Sequence, residues 1–174
     1  MIRLNELPYY TLPDPPENMN VTGVLIRFVD SLGFRYRWAT EGLREEDMEF
    51  QTCNTSRKIW ELLAHIHGLV TVTDAFITGN ELEKIEPISL EERRMRTLSI
   101  IVSLREALQE LDDEYLAKRS FMVPWAQQEY PLWYLINGPL SDALTHVGQV
   151  ASWRRINGNP IPGVNVFYGT PPKE

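Results

Sequence analysis

The segment from Pro139 to Trp153 constrains the fold most strongly, because Asp142 and His146 are its only ionisable side chains. A helix with so little charge is expected to be buried against other elements of the chain. Asp142 and His146 are four residues apart and therefore share one helix face, one turn apart. A buried carboxylate and a buried imidazole are unfavourable unless they are paired or bind a metal. The sequence therefore predicts a polar site inside a helical protein.

Three other segments show the periodicity of amphipathic helices. The four helices are predicted from Val21 to about Leu43, from Asn54–Ser56 to about Thr78, from Ser89 to about Ala117, and from Leu132 to about Ile156. Because Pro139 cannot donate to the carbonyl of Leu135, the fourth helix is expected to kink at Gly138-Pro139. Residues 119–131 are expected to form an irregular loop, and the one weak strand pattern lies at 164–168.

These elements predict an all-α fold, an antiparallel four-helix bundle within a single domain that spans residues 1–174. Several prolines exclude regular helix from both ends of the chain. We therefore expect an extended arm at residues 1–19 and an extended tail at residues 159–174. Ser89 followed by Glu92 fits a capping box and predicts the start of the third helix.

Composition argues against several functional classes. The formal net charge of the 174 residues is -7, and no basic cluster is present, so a nucleic-acid partner is not expected. The single cysteine, Cys53, cannot form an internal disulfide, which fits a reducing compartment. No apolar run is long enough to span a bilayer, and no secretory signal is recognised. We therefore expect a cytoplasmic protein without a membrane partner.

A third candidate ligand lies on the second helix. His65 shares an apolar stripe with Leu69 and Phe76, whereas His67 falls on a different face. Metal sites in bundles are built from inward side chains on facing helices, so His65, Asp142 and His146 could hold one divalent ion. Two imidazoles and one carboxylate suit Zn, Ni, Mn or Fe(II). Gln149 could hydrogen-bond one of these ligands and orient it. The alternative is that Asp142 and His146 pair with each other and His65 is a satisfied core residue.

Other residues leave open alternatives. Arg35, at the end of an apolar stripe, either extends to solvent or faces a pocket as an anion anchor. Cys53 lies in a predicted loop, and nothing in the sequence supports a Cys-His dyad. Aromatic residues near the fourth helix either anchor the core or form the apolar wall of a substrate cleft. These residues are Trp125, Tyr130, Trp133, Tyr134 and Trp153.

Three short motifs resemble the DinB-like superfamily of damage-inducible, metal-binding four-helix proteins. They are Leu63-Ala64-His65-Ile66 on the second helix, His146-Val147-Gly148-Gln149 on the fourth, and the closing Arg155-Ile156-Asn157-Gly158-Asn159-Pro160. The resemblance extends from the first predicted helix to Asn159-Pro160. The family pattern has one histidine on the second helix and two on the fourth, four residues apart. Carried over, it gives His65 and His146 as ligands, with Asp142 in place of the other histidine.

The resemblance implies a metal-dependent enzyme of the hydrolase or thiol S-transferase type, since the superfamily includes transferases that use bacillithiol or mycothiol. Its partners would be a small-molecule substrate or thiol, and it would form a homodimer. The departure at Asp142 implies either an altered metal preference or a site that has lost its metal. In the second case the chain is a non-catalytic stress-response or ligand-binding bundle, in which the Asp142–His146 pair is structural.

Overall fold

A computed structural model describes residues 7–82, 88–123 and 127–173, and 59% of the chain is helical. The four long helices are α1 (Val21–Ala39), α3 (Ile59–Thr78), α4 (Leu90–Gln109) and α7 (Ser141–Ile156). The shorter elements are α2 (Glu45–Met48), α5 (Asp113–Lys118), β1 (Ser120–Val123), β2 (Gln128–Pro131), α6 (Leu132–Leu135) and a π-helical segment, Ile136–Leu140. The predicted helical class is therefore confirmed, with a small two-stranded sheet in addition.

The long helices surround one apolar core, as expected for a helical bundle. Helix α4 lies against α1 and α3, and α7 lies against the same two helices. Each helix contributes fully buried aliphatic side chains, such as Leu32, Ile66, Ile101 and Val150. This packing fixes the position of α7 between α1 and α3, and so sets which side chains can meet its polar face.

The first two helices are shorter than predicted. Helix α1 ends at Ala39 rather than Leu43, and Gly42 turns the chain with a φ of +64°. Helix α3 begins at Ile59 after Lys58, not at Asn54–Ser56. The Ser56 hydroxyl accepts from the backbone N–H of Cys53 at 3.2 Å, so it stabilises the preceding turn and does not cap the helix.

The third predicted helix is broken in two. Ser89 caps α4 by accepting from the N–H of Glu92 at 3.2 Å, as predicted. The helix then ends at Gln109, and Asp112 caps the separate α5. Asp113 accepts hydrogen bonds from the backbone N–H groups of Val21 and Thr22, at 3.1 and 2.9 Å. The break therefore places a carboxylate at the N-terminus of α1, where the helix dipole favours negative charge.

The predicted irregular loop at residues 119–131 contains an antiparallel hairpin, with Phe121 of β1 opposite Tyr130 of β2. Burial alternates along β1, with Phe121 and Val123 partly buried and Ser120 and Met122 exposed, but the residue types do not alternate, so the sequence pattern did not predict a strand. The predicted strand at 164–168 is wrong. Among the described residues of this tail, the structure has only an isolated bridge between Asn165 and Thr170.

The fourth predicted helix is interrupted where proline predicts it. The π-helical segment spans Pro139, and the Ser141 hydroxyl donates to the carbonyl of Ile136 at 2.7 Å. A wider turn of this kind lets the helix continue past the proline. Helix α7 ends at Ile156, before Gly158 with a φ of +76°.

The ends of the chain lie along the helices. Residues 7–19 and 159–173 contain no helix or strand, while residues 1–6 and 174 of the predicted arm and tail lie outside the described residues. The N–H of Leu12 donates to the carbonyl of Gly169 at 2.8 Å, which joins arm and tail. Among the described residues, none of the helices is both long and apolar enough to cross a membrane.

Candidate metal centre

The structure brings His65, Asp142 and His146 together where α3 meets the start of α7. Nε2 of His65 lies 3.2 Å from Oδ2 of Asp142, and Nε2 of His146 lies 3.3 Å from Oδ1 of the same carboxylate. The two imidazole rings meet edge to face, with 4.8 Å between their centroids. One ligand atom from each residue can be chosen so that all three lie within 4.8 Å of one another. We call this group the His-Asp-His cluster.

The local structure explains why these three side chains converge. Asp142 lies in the first turn of α7, directly after the π-helical segment. His146 follows one turn later on the same face, as the spacing predicts. Helix α3 packs against α7 and presents His65 to that face. The carboxylate can therefore contact both imidazoles, one with each oxygen.

Gln149 fixes the proton on His146. Its side-chain oxygen Oε1 lies 2.8 Å from Nδ1 of His146, and an amide oxygen can only accept a hydrogen bond. Nδ1 therefore carries a proton, and Nε2 is the nitrogen that faces the Asp142 carboxylate, with room for either a second proton or a metal ion between them. Two acceptors at this distance repel each other unless a proton or a metal ion lies between them. A histidine whose other nitrogen donates to a fixed acceptor is typical of metal ligands.

The cluster is reachable from solvent but partly enclosed. The exposed side-chain fractions are 32% for His65, 45% for Asp142 and 11% for His146. Burial lowers the pKa of His65, and this effect outweighs the hydrogen bond and charge of Asp142, which act to raise it. The lowered pKa favours the neutral form of His65, in which an imidazole nitrogen can bind a metal.

The donor set and its spacing fit a divalent ion. Zinc–nitrogen bonds of about 2.05 Å place tetrahedral donor atoms roughly 3.3 Å apart. The two nitrogen–oxygen distances, 3.2 and 3.3 Å, are close to this spacing but run to different oxygens of Asp142. For one ligand atom from each residue, all separations are within 4.8 Å. Three protein ligands also leave at least one coordination position for water or another molecule. The residues present therefore suit an open metal site.

An apolar cleft of about 680 Å³ adjoins the cluster, and His65 lines both. Helix α3 forms one wall, and the hairpin, α6 and the π-helical segment form the other. Aromatic pairs shape the wall, with ring centroids 5.2 Å apart for Phe76 and Phe121 and 4.9 Å apart for Tyr130 and Tyr134. The cleft supports the interpretation of Tyr130 and Tyr134 as a substrate wall, whereas Trp125 lies outside the described residues.

The remaining candidates lie away from the cluster. Of the two histidines on α3, His67 and not His65 is buried in the core, with Nδ1 2.9 Å from Oγ1 of Thr97. The predicted apolar stripe of α3, formed by His65, Leu69 and Phe76, lines the cleft. Arg35 is exposed and does not line the cleft. Cys53 is exposed, and hydrogen bonds from Thr55 lower its pKa to about 7, without a histidine among its partners.

The hairpin residues of the cleft were missed in the sequence. Phe121 and Val123 point to the cleft while Met122 between them is exposed, which is the alternation of a strand. Because Met122 is itself apolar, the residue types do not show this alternation, and four residues are too few to distinguish a strand from a loop.

Comparisons with known proteins do not assign the chain. No model of a known protein family matches the sequence, and no curated protein matches it.

Proposed function

We propose that this chain is a metal-dependent enzyme of the DinB-like type, a hydrolase or a thiol S-transferase built on an antiparallel four-helix bundle. His65, Asp142 and His146 hold one divalent ion, which is Zn, Ni, Mn or Fe(II). Gln149 orients His146 from behind. The motif resemblance, the four long helices and the cleft beside the cluster support this proposal.

One observation carries the proposal. Nε2 of His146 faces the Asp142 carboxylate at 3.3 Å, while the side-chain oxygen of Gln149 accepts from the opposite nitrogen at 2.8 Å. The arrangement is unfavourable for a neutral imidazole beside a carboxylate, and a cation relieves it. A second imidazole, that of His65, lies on the other oxygen of the same carboxylate.

A bound divalent ion would lower the pKa of a coordinated water or thiol, so that hydroxide or thiolate is available near neutral pH. In either reaction the nucleophile forms a bond to an electrophilic carbon of the substrate. The leaving group departs with the bonding electron pair, and the nucleophile's proton passes to solvent. Residues of the cleft hold the substrate so that this carbon lies at the His65 end.

Cobalt(II) substitution tests the proposal directly. Visible absorption of the cobalt-loaded protein should change when a low-molecular-weight thiol is added, if the chain is a thiol transferase. A hydrolase would give no thiol-dependent change but would turn over ester or amide substrates. His67→Gln is the matched control, because His67 is the one other histidine of the chain and contacts Thr97. A cobalt spectrum that is unchanged in His146→Ala would contradict the proposal.

A second candidate is a non-catalytic stress-response or ligand-binding bundle. The contacts of Asp142 with both histidines, at 3.2 and 3.3 Å, favour it if an imidazolium satisfies the carboxylate. The Asp142→Asn variant distinguishes the non-catalytic bundle from the proposed enzyme. The structural role predicts no bound metal before or after the change, whereas the enzyme predicts that the change weakens a bound metal.

The proposed enzyme forms a homodimer through α7. Thr145, Gly148 and Ser152 form an exposed stripe of small residues, and nothing lies within 4 Å of the position that a Cβ on Gly148 would take. Light scattering should therefore give twice the chain mass for the natural protein and a single chain mass for Gly148→Trp. A single chain mass for both would contradict the dimer.

A further inference from the structure

The cleft beside the His-Asp-His cluster is almost free of charge. Among its lining residues in the described part of the chain, His65 is the one with an ionisable group near neutral pH, and most of the others are aliphatic or aromatic. The hydroxyl proton of Thr71, which also lines the cleft, is donated to the carbonyl of His67 at 2.9 Å. The walls of the cleft therefore favour binding of an apolar ligand over a charged one.

Two charged residues near the cleft, Arg119 and Glu129, are hydrogen-bonded to other groups of the protein. The Arg119 guanidinium donates to the carbonyls of Phe76 and Ile77, at 3.0 and 3.3 Å, and lies 5.3 Å from the Tyr115 ring centre. The Glu129 carboxylate accepts from the Ser120 hydroxyl at 2.9 Å. An anionic group in the cleft would thus lose its hydration without gaining a cation from these residues.

The polar end of the cleft is defined by His65, which the cleft shares with the cluster. A ligand held by the apolar walls can satisfy a polar group at this end, beside the Asp142 carboxylate, and otherwise only at the hydroxyls of Tyr130 and Tyr134 among the described side chains of the wall. The volume, about 680 Å³, falls within the range of sites that enclose small organic ligands, roughly 300–1,000 Å³.

We infer that the cleft binds an uncharged small molecule with a largely aromatic or aliphatic body, and that its one polar, reacting group lies at His65. The assignment of a reacting group rests on the proposed function, whereas binding of the apolar body does not need the ion. In the transferase form of the reaction, the cleft holds the electrophilic acceptor.

A pair of fluorescent probes tests the inference. N-phenyl-1-naphthylamine is uncharged, and 8-anilino-1-naphthalenesulfonate is the same molecule with an added sulfonate. In the chelator-treated protein the uncharged probe should bind with increased fluorescence. The sulfonate should bind roughly tenfold or more weakly, because none of the described residues that line the cleft is a lysine or an arginine. Equal or tighter binding of the sulfonate would overturn the inference.

Variants locate the binding. Val72→Trp fills the cleft from α3 and should weaken binding of the uncharged probe by roughly tenfold or more. Val24→Trp is the matched control, because Val24 is 53% exposed on α1 and does not line this cleft. Val72→Lys supplies the missing cation and should reverse the preference towards the sulfonate, which a merely unfolded variant would not do. Unchanged binding to Val72→Trp, or loss in Val24→Trp, would overturn the inference.

Chelator-treated and zinc-loaded samples of the natural protein separate this inference from the proposed function. The uncharged probe should bind both samples, whether or not the zinc-loaded sample retains metal. Probe binding without metal retained after loading with Zn, Ni, Mn or Fe(II) would contradict the proposed enzyme alone, and retained metal without probe binding would contradict the cleft inference alone.

Discussion

At the scale of single residues, the proton on His146 decides what the cluster can do. Gln149 accepts from Nδ1 at 2.8 Å, so Nε2, the nitrogen that faces Asp142, is the one that could bind a metal ion. The same carboxylate contacts His65 through its other oxygen. The contact with Gln149 therefore turns two imidazoles and a carboxylate into three donors that face a common point.

Replacing Gln149 by Leu removes the acceptor while nearly preserving side-chain volume. Metal affinity should fall by about 10- to 100-fold, because the imidazole loses both its orientation and its fixed tautomer. Gln149→Glu keeps an acceptor for Nδ1 and should retain tight binding. Competition with a chromophoric chelator measures both affinities. Equal affinity in Gln149→Leu and the natural protein would show that Gln149 does not support a ligand.

At the scale of elements, α7 is held to the end of α1 by one buried guanidinium. Arg154, which is 1% exposed, donates to the carbonyls of Ala39 and Glu41 at 2.9 and 2.6 Å. It also donates to the carbonyl of Asn159 at 2.7 Å, which turns the chain after the helix. This anchor fixes α7, and with it the cluster at the opposite end of that helix.

Arg154→Met should lower the free energy of unfolding by about 3 kcal/mol or more, because each buried acceptor left without a donor costs on the order of 1–3 kcal/mol. The neighbouring Arg155 is exposed and provides the matched control. Arg155→Met should change stability by less than about 0.5 kcal/mol. Urea unfolding followed by circular dichroism measures both variants, and equal effects would contradict the anchoring role of Arg154.

At the scale of the whole molecule, α2 and the tail meet on a buried carboxylate. Asp47 is fully buried and accepts hydrogen bonds from Arg44 at 2.9 Å, Asn157 at 2.8 Å and Asn159 at 2.6 Å. Burial alone raises the pKa of Asp47, but these donors together hold it well below its usual range. The carboxylate therefore stabilises the fold only while it is ionised.

The lowered pKa of Asp47 determines how the unfolding free energy depends on pH. Because the pKa of Asp47 is lower in the folded than in the unfolded chain, its contribution is complete above the unfolded value, about 4, and is lost as pH falls below it. The difference in unfolding free energy between the natural protein and Asp47→Asn should be constant from about pH 5 to 8 and shrink at lower pH. Chemical unfolding of both proteins from acid pH to pH 8 measures this difference. If the difference in unfolding free energy stayed the same in acid, Asp47 would not be ionised and hydrogen-bonded in the folded chain.

Much of this architecture could be predicted from residue patterns, and the failures have physical causes. Periodicity located all four long helices, and Pro139 located the interruption before Asp142. Helix ends were misplaced where side chains had tertiary partners, as for Asp113 at the start of α1. Spacing placed Asp142 and His146 on one face, but the amphipathic pattern of α3 could not show that His67 is buried and His65 lines a cleft.

Metal content is the most direct test of the central claim, that His65, Asp142 and His146 form a metal site. Elemental mass spectrometry would be applied to tag-free protein, before and after loading with Zn, Ni, Mn or Fe(II). About one ion per chain is expected in the natural protein and in His67→Gln, with loss of that ion in His65→Ala, Asp142→Ala and His146→Ala. No bound metal under any loading condition, or equal metal in all five proteins, would contradict the account.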